Sequence, residues 1–202
     1  MRSPEVIYFE GLPGSGKTSL TRQIASDHPQ VFMSVDEYVH PEKNVEANFD
    51  DQRFFMENDE LKYQMARESG RRCLVDRGHL STLLYTHAYN RIKGDRDLTY
   101  VDEWYFGRIL RDKMLPDLYV LLDIPEELSL IRASDPNDLS NMWNHMETLR
   151  FARENYPRYM GLCEPSVPVL ALSSDSMTLS QLRNEIVDFI GLDIRYQGFA
   201  QL

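Results

Sequence analysis

The chain has 202 residues, 42% of them hydrophobic, which is the size of one ordinary α/β domain with a real core and excludes extended disorder. Its formal charge of −10 argues against coating a nucleic acid polymer, which needs a basic footprint, and leaves a small molecule as the expected partner. Cys73 and Cys163 share no metal-like or disulfide-like spacing, and the chain has neither an apolar leader nor an apolar run near ~18 residues, so a cytoplasmic protein without a membrane span is expected.

Val6 to Glu10 is a short apolar run that meets a glycine-rich turn, and Leu20 and Ile24 then recur at helical spacing up to about Asp27. Val31 to Val35 is a second strand candidate, and residues 36 to 50 are polar and irregular. A helix is predicted from Asp51 to Ser69, stopped at Gly70, followed by a third strand over Cys73 to Val75. Helices over Ser81 to Asn90 and Tyr100 to Met114 lead to Pro116 and a buried strand, Leu118 to Asp123. Pro125 opens the next helix, running to about Ala133. A polar interruption over Ser134 to Ser140 precedes a long helix ending near Tyr156-Pro157. Val167 to Leu172 and Leu179 to Ile190 close the chain as strand and helix. Apolar strands alternating with helices predict a single domain in three layers, a five-stranded parallel sheet covered on both faces.

The segment Gly11-Leu12-Pro13-Gly14-Ser15-Gly16-Lys17-Thr18 fits G-x-x-x-x-G-K-[ST] in full, between a predicted strand and a predicted helix. Its glycines let phosphate oxygens approach the backbone, and successive N–H groups with the helix N-terminus form an anion nest. Gly11, Gly14, Ser15, Gly16, Lys17, Thr18 and, in the first helical turn, Ser19 are therefore the expected ATP-binding set. Lys17 would reach the β and γ phosphates, and the Thr18 hydroxyl would ligate Mg²⁺. Asp76-Arg77 directly follows the third strand, at the edge of the crevice where ligands of open α/β sheets bind. Asp76 is a candidate for ordering the Mg²⁺ water shell and Arg77 a catalytic candidate for holding a phosphate or neutralising charge in transfer, or the two form an ordinary surface pair at a strand end.

Asp76-Arg77-Gly78-His79-Leu80-Ser81-Thr82-Leu83-Leu84-Tyr85 resembles the D-R-[YHS]-x-x-S-x-x-A-Y region of thymidylate kinases. Phe9-Glu10-Gly11 with the phosphate loop, Pro116-Asp117-Leu118 through Leu122-Asp123-Ile124-Pro125, and Arg153-Glu154-Asn155-Tyr156 resemble the same family in the same order, over about residues 5 to 160. The resemblance implies the nucleoside monophosphate kinase fold, with an acceptor-binding helical region at about 36–70 and a short lid at about 132–141. It also implies transfer of the ATP γ-phosphoryl group to a nucleoside or nucleotide, and it allows a homodimer. By the same resemblance Arg132, just before the lid, and Arg153 are catalytic candidates, while Arg53, Phe55, Arg77, His79 and Tyr85 are acceptor candidates. The chain departs from the family where Leu12-Pro13 replaces an acidic loop residue, where Phe55 stands in for an acceptor-holding arginine, and where Thr86 replaces a glutamine.

Asp36 follows the second strand in Ser34-Val35-Asp36-Glu37-Tyr38. In this it resembles deoxynucleoside kinases and P-loop kinases of small alcohols, which carry a carboxylate there to take a hydroxyl proton. Asp36 is thus expected as general base or acceptor anchor, with a strand-end or helix-cap role, or a place around the Mg²⁺ water shell, as the alternatives. His79 either touches the acceptor or is a loop histidine satisfied by solvent. Trp104, Tyr105 and Phe106, like Phe54, Phe55 and Tyr63, either pack the core or stack on a base. Ser173-Ser174-Asp175 is a weaker candidate near the nucleotide. The rival readings are a kinase of a non-nucleotide alcohol and a nucleotide-dependent switch protein.

Overall fold

The computed structural model describes residues 5–40, 52–94, 97–132, 141–163 and 165–190. Strands β1 (Val6–Glu10), β2 (Phe32–Val35), β3 (Arg72–Asp76), β4 (Leu118–Asp123) and β5 (Val169–Ser173) form one parallel sheet in the order β2-β3-β1-β4-β5. The crossovers are α1 (Lys17–Asp27), α2 (Gln52–Glu68), α3 (His79–Lys93), α4 (Leu98–Trp104), α5 (Glu126–Arg132) and α6 (Met146–Cys163), and α7 (Leu179–Ile190) follows β5. The expected five-stranded three-layer α/β fold is the one observed.

Strand alternation decides what each layer holds, because successive side chains point to opposite faces. Ile7, Phe9, Leu74, Leu118, Val120 and Leu122 pack with α1 and α7 through Leu20, Ile24, Leu182 and Ile186. Val6, Tyr8, Met33, Val35, Cys73, Val75, Tyr119 and Leu121 face the other way, into a cluster with residues of α2, α3, α4 and α6. Cys73 is buried there.

Three predicted elements differ. Helix α3 begins at His79 rather than Ser81, so His79 lies in a first helical turn and not in a loop. The helix predicted over 100–114 starts at Leu98, where Asp97 caps it by accepting from the Thr99 N–H, and it turns π-helical over Tyr105–Ile109. That register change buries Trp104, Tyr105 and Ile109 while Phe106 stays 44% exposed. Helix α6 continues through Pro157 to Cys163, its apolar side seated by Leu149, Ala152, Tyr156 and Met160. Packing of that face outweighs the hydrogen bond the proline removes. Of the expected acceptor region, residues 41–51 lie outside the described residues, as do residues 133–140 of the expected lid.

Candidate active site

The glycine loop between β1 and α1 adopts left-handed geometry at Gly11 (φ 132°), Gly14 (φ 71°) and Gly16 (φ 97°). At Gly11 a side chain has no room, since a Cβ would stand 2.3 Å from the Leu122 carbonyl oxygen. Ser15 is buried in the loop, while Thr18 and Ser19 open the first turn of α1 on its exposed side. Lys17 folds back over the loop, where its ammonium donates to Gly11 O (2.9 Å), Leu12 O (2.7 Å) and Ser15 Oγ (3.1 Å). Burial, with the nearby Arg77 charge adding to it, brings its pKa down to about 7.

The Thr18 hydroxyl donates to Asp76 Oδ2 at 2.5 Å. Asp76 Oδ1 is buried and has no hydrogen-bond partner, so a carboxylate oxygen is left for a cation beside the loop. One hydroxyl and one carboxylate suit Mg²⁺, which keeps much of its water and takes phosphate oxygens for the rest. Among the described residues no cluster of three His, Cys or acidic side chains forms a closed metal cage.

Arg77 is the hinge between this loop and the other half of the site. It is a non-glycine residue at φ 61° and 8% exposed. Its Nη1 donates to Gly11 O (3.3 Å) and Ser81 Oγ (3.4 Å), and its Nε stands 2.9 Å from Glu37 Oε1. Burial alone would lower its pKa, but Glu37, Tyr156, Asp76 and Glu10 outweigh it and hold the guanidinium firmly charged. The ring of Trp143 lies 5.1 Å from the guanidinium carbon and 5.2 Å from Tyr85. Tyr38 bonds Glu37 and packs 6.2 Å from Phe55. The result is a carboxylate–guanidinium pair beside the glycine loop, walled by Tyr38, Tyr85 and Trp143.

Beneath it lies a buried network. Glu10 Oε1 accepts from the Gly78 N–H (2.9 Å) and Oε2 from the Ser81 hydroxyl (2.5 Å), which also meets the Tyr156 hydroxyl at 2.8 Å. Burial pushes the Glu10 pKa up to about 8, against the Ser81 hydrogen bond and the Arg77 charge. Gly78 is required here, since a Cβ would meet the Tyr8 ring at 2.1 Å.

Several residues expected in the site stand elsewhere. Asp36, expected as base or anchor, turns to the α1 side, its side chain 51% exposed, and pairs with Arg22 at 2.9 Å. The reason is alternation: Met33, Val35 and Glu37 continue one face of β2, and Asp36 belongs to the opposite one. The carboxylate at Arg77 is therefore Glu37. Arg53 is exposed and pairs with Glu57 on its own helix at 2.6 Å. His79 is fully buried among Tyr8, Tyr63 and Trp104, 5.4 to 6.2 Å between ring centroids, and burial pulls its pKa down to about 4. It is a neutral core residue with no solvent to satisfy it. Arg153 is committed to Asp123 (2.7 and 2.9 Å) and Glu126 (2.9 Å). Arg132, by contrast, stays at the glycine loop, donating to Gly14 O at 3.2 Å from an exposed position. Ser174 is buried under the end of β4, its N–H donating to Asp123 O at 2.8 Å.

No family model matches the chain, and no curated protein matches it. Solved structures do. A deoxyadenosine kinase from M. mycoides with bound dATP superposes with a TM-score of 0.69 at 15% identity, covering 91% of this chain and 98% of that one. The same enzyme with bound dCTP gives 0.63 at 14% identity, over 91% and 98% of the two chains. A thymidylate kinase from Candida albicans gives 0.64 at 15% identity, over 93% of this chain and 91% of that one. At such identity the likeness is one of fold, and the fold is that of the P-loop nucleoside and nucleotide kinases.

Proposed function

We propose that the protein transfers the γ-phosphoryl group of ATP to a hydroxyl of a small nucleoside-like acceptor. The observation that carries this reading is the Glu37–Arg77 pair, 2.9 Å apart, set directly beside a complete phosphate loop. A neutral hydroxyl needs a positioned base, and Glu37, near enough to Lys17 to act on its charge, is the carboxylate we assign to it; an acceptor phosphate, already anionic, needs none. Lys17 and Arg77 put two cations where charge develops on the moving group, and both are fixed before reaction by hydrogen bonds to Gly11 O. Thr18 and Asp76 would hold Mg²⁺, which would supply charge neutralisation of the donor phosphates. Tyr38, Phe55, Tyr85 and Trp143 offer aromatic walls for an acceptor ring. The kinase structures of like fold support the acceptor class.

The test is ATP consumption with Mg²⁺ against nucleosides, nucleoside monophosphates and small alcohols. Turnover of a nucleoside is expected. Lys17→Ala should cost roughly 10³-fold in kcat, the order lost when one preorganised charge is removed from the transferred group. Turnover of monophosphates alone would remove Glu37 as base, and turnover of a non-nucleotide alcohol alone would replace the acceptor class. ATP binding without any transfer would sink the proposal.

A further inference from the structure

Lys62 is a buried cation that the reaction as described does not use. Its side chain is 2% exposed, and that of Asp59, one helical turn earlier, is 4% exposed. The ammonium stands 2.6 Å from Asp59 Oδ1 and donates to Arg77 O at 3.0 Å and Asp76 O at 3.4 Å. Its three protons thus have three partners. The second Asp59 oxygen accepts from the Thr82 hydroxyl of α3 at 2.6 Å. Replacing a buried pair of this kind by apolar side chains of the same volume is often neutral or stabilising, so stability alone does not account for it. What it touches does: two of its contacts are the carbonyls of the metal-facing aspartate and of the arginine held at φ 61°. The same helix also grips the other partner of the pair. Asn58, 2% exposed, donates to Glu37 O at 2.8 Å and accepts from the N–H groups of Val39 (2.8 Å) and His40 (3.1 Å).

We propose that the Asp59–Lys62 pair is a positioning device for the 76–77 turn. Lys62 pins both carbonyls, which keeps Arg77 left-handed with its guanidinium on the Glu37 side and leaves the Asp76 carboxylate on the α1 side against Thr18. With Asn58 fixing the backbone at Glu37, one turn of α2 sets the distance between the two reacting-site partners. This inference rests on the phosphotransfer reading above.

The test uses the full chain and an acceptor-independent readout, the affinity for Mn²⁺·ADP measured by the paramagnetic resonance of free Mn²⁺. The double variant Asp59→Asn/Lys62→Met removes both charges together and leaves no lone buried ion. It is expected to unfold at a temperature close to that of the wild type, yet to bind Mn²⁺·ADP about tenfold more weakly, the order typical of losing a group that orients a metal ligand. Its crystal structure is expected to show residue 77 out of the left-handed region. Thr82→Val, which removes only the hydroxyl on Asp59, is the milder second variant, with about threefold weaker binding expected on the same principle. Unchanged affinity in whichever of these variants folds, with residue 77 still left-handed, overturns the positioning role and leaves the phosphotransfer reading standing. A wild-type protein that fails to bind Mn²⁺·ADP overturns both.

Discussion

The two halves of the site are built by different means. On the proposed donor side, one contiguous segment from Gly11 to Thr18 would make the cradle, with backbone N–H groups, one lysine and one hydroxyl as its working groups. On the proposed acceptor side, Glu37, Arg77, Tyr85 and Trp143 come from four separated segments and meet through side chains. A backbone cradle is specified by glycines at fixed spacing, because only they tolerate the required φ values. A side-chain constellation is specified by which face of each strand a residue lands on, and a shift of one position reverses that.

That difference predicts where substitution hurts most. Glu37→Gln should lower kcat by roughly 10²- to 10⁴-fold, the usual contribution of a positioned general base. Asp36→Asn, its immediate neighbour, should leave kcat within about twofold, because it breaks only an exposed ion pair with Arg22, a contact of small worth. Steady-state kinetics of the two variants with the acceptor found in the panel decides it. The opposite ranking would mean that the chain after β2 rearranges during turnover and that the acceptor half is not the one described.

The same contrast explains what was legible beforehand. The sheet, the left-handed glycine loop and the Thr18–Asp76 neighbourhood follow from local signals: apolar runs, glycine spacing and an aspartate ending a strand. Asp36 was chosen for its place after β2, but choosing between Asp36 and Glu37 requires knowing which face of β2 meets α1. That information was present in Phe32 against Met33 and Val35. His79 was misread for a different reason: its neighbours Tyr8, Tyr63 and Trp104 are remote in sequence, so no local pattern marks it as core. Lys62 likewise reads as an ordinary polar position of an amphipathic helix until the 76–77 carbonyls are seen above it.

Glu10 joins the halves, since it precedes Gly11 and accepts from Gly78 and Ser81. Its folded pKa of about 8, against an ordinary 4.5, means that the folded state keeps a proton which the unfolded chain releases between those values. Its contribution to stability is therefore full below pH 4.5 and is lost as pH rises to 8. Glu10→Gln is neutral throughout, so its melting temperature should rise relative to wild type by roughly 10 °C between pH 5 and pH 8. His79, whose shift comes from burial, Asp59 and Lys62 and owes nothing to Glu10, cancels in the difference. A gap that does not change with pH would mean that Glu10 is already ionised, and that the seam between the halves is an ion pair with Arg77 instead of a proton-bearing carboxyl.

The smallest effect concerns the half that was easiest to read. The motif identifies Lys17 but says nothing about its charge, and burial together with Arg77 brings its pKa down to about 7. A polyphosphate beside it favours the ammonium and raises that value. At pH 8 the lysine is mostly neutral before binding, so binding of Mg·ATP without acceptor should take up close to one proton; at pH 6 it is already charged and uptake should be near zero. Calorimetry in buffers of different ionisation enthalpy reads this directly, and Lys17→Met should abolish the buffer dependence at pH 8. If uptake at pH 8 is absent in the wild type, the lysine is charged before the nucleotide arrives. Its hydrogen bonds to Gly11 O and Leu12 O would then be those of a permanent cation holding the loop open for phosphate.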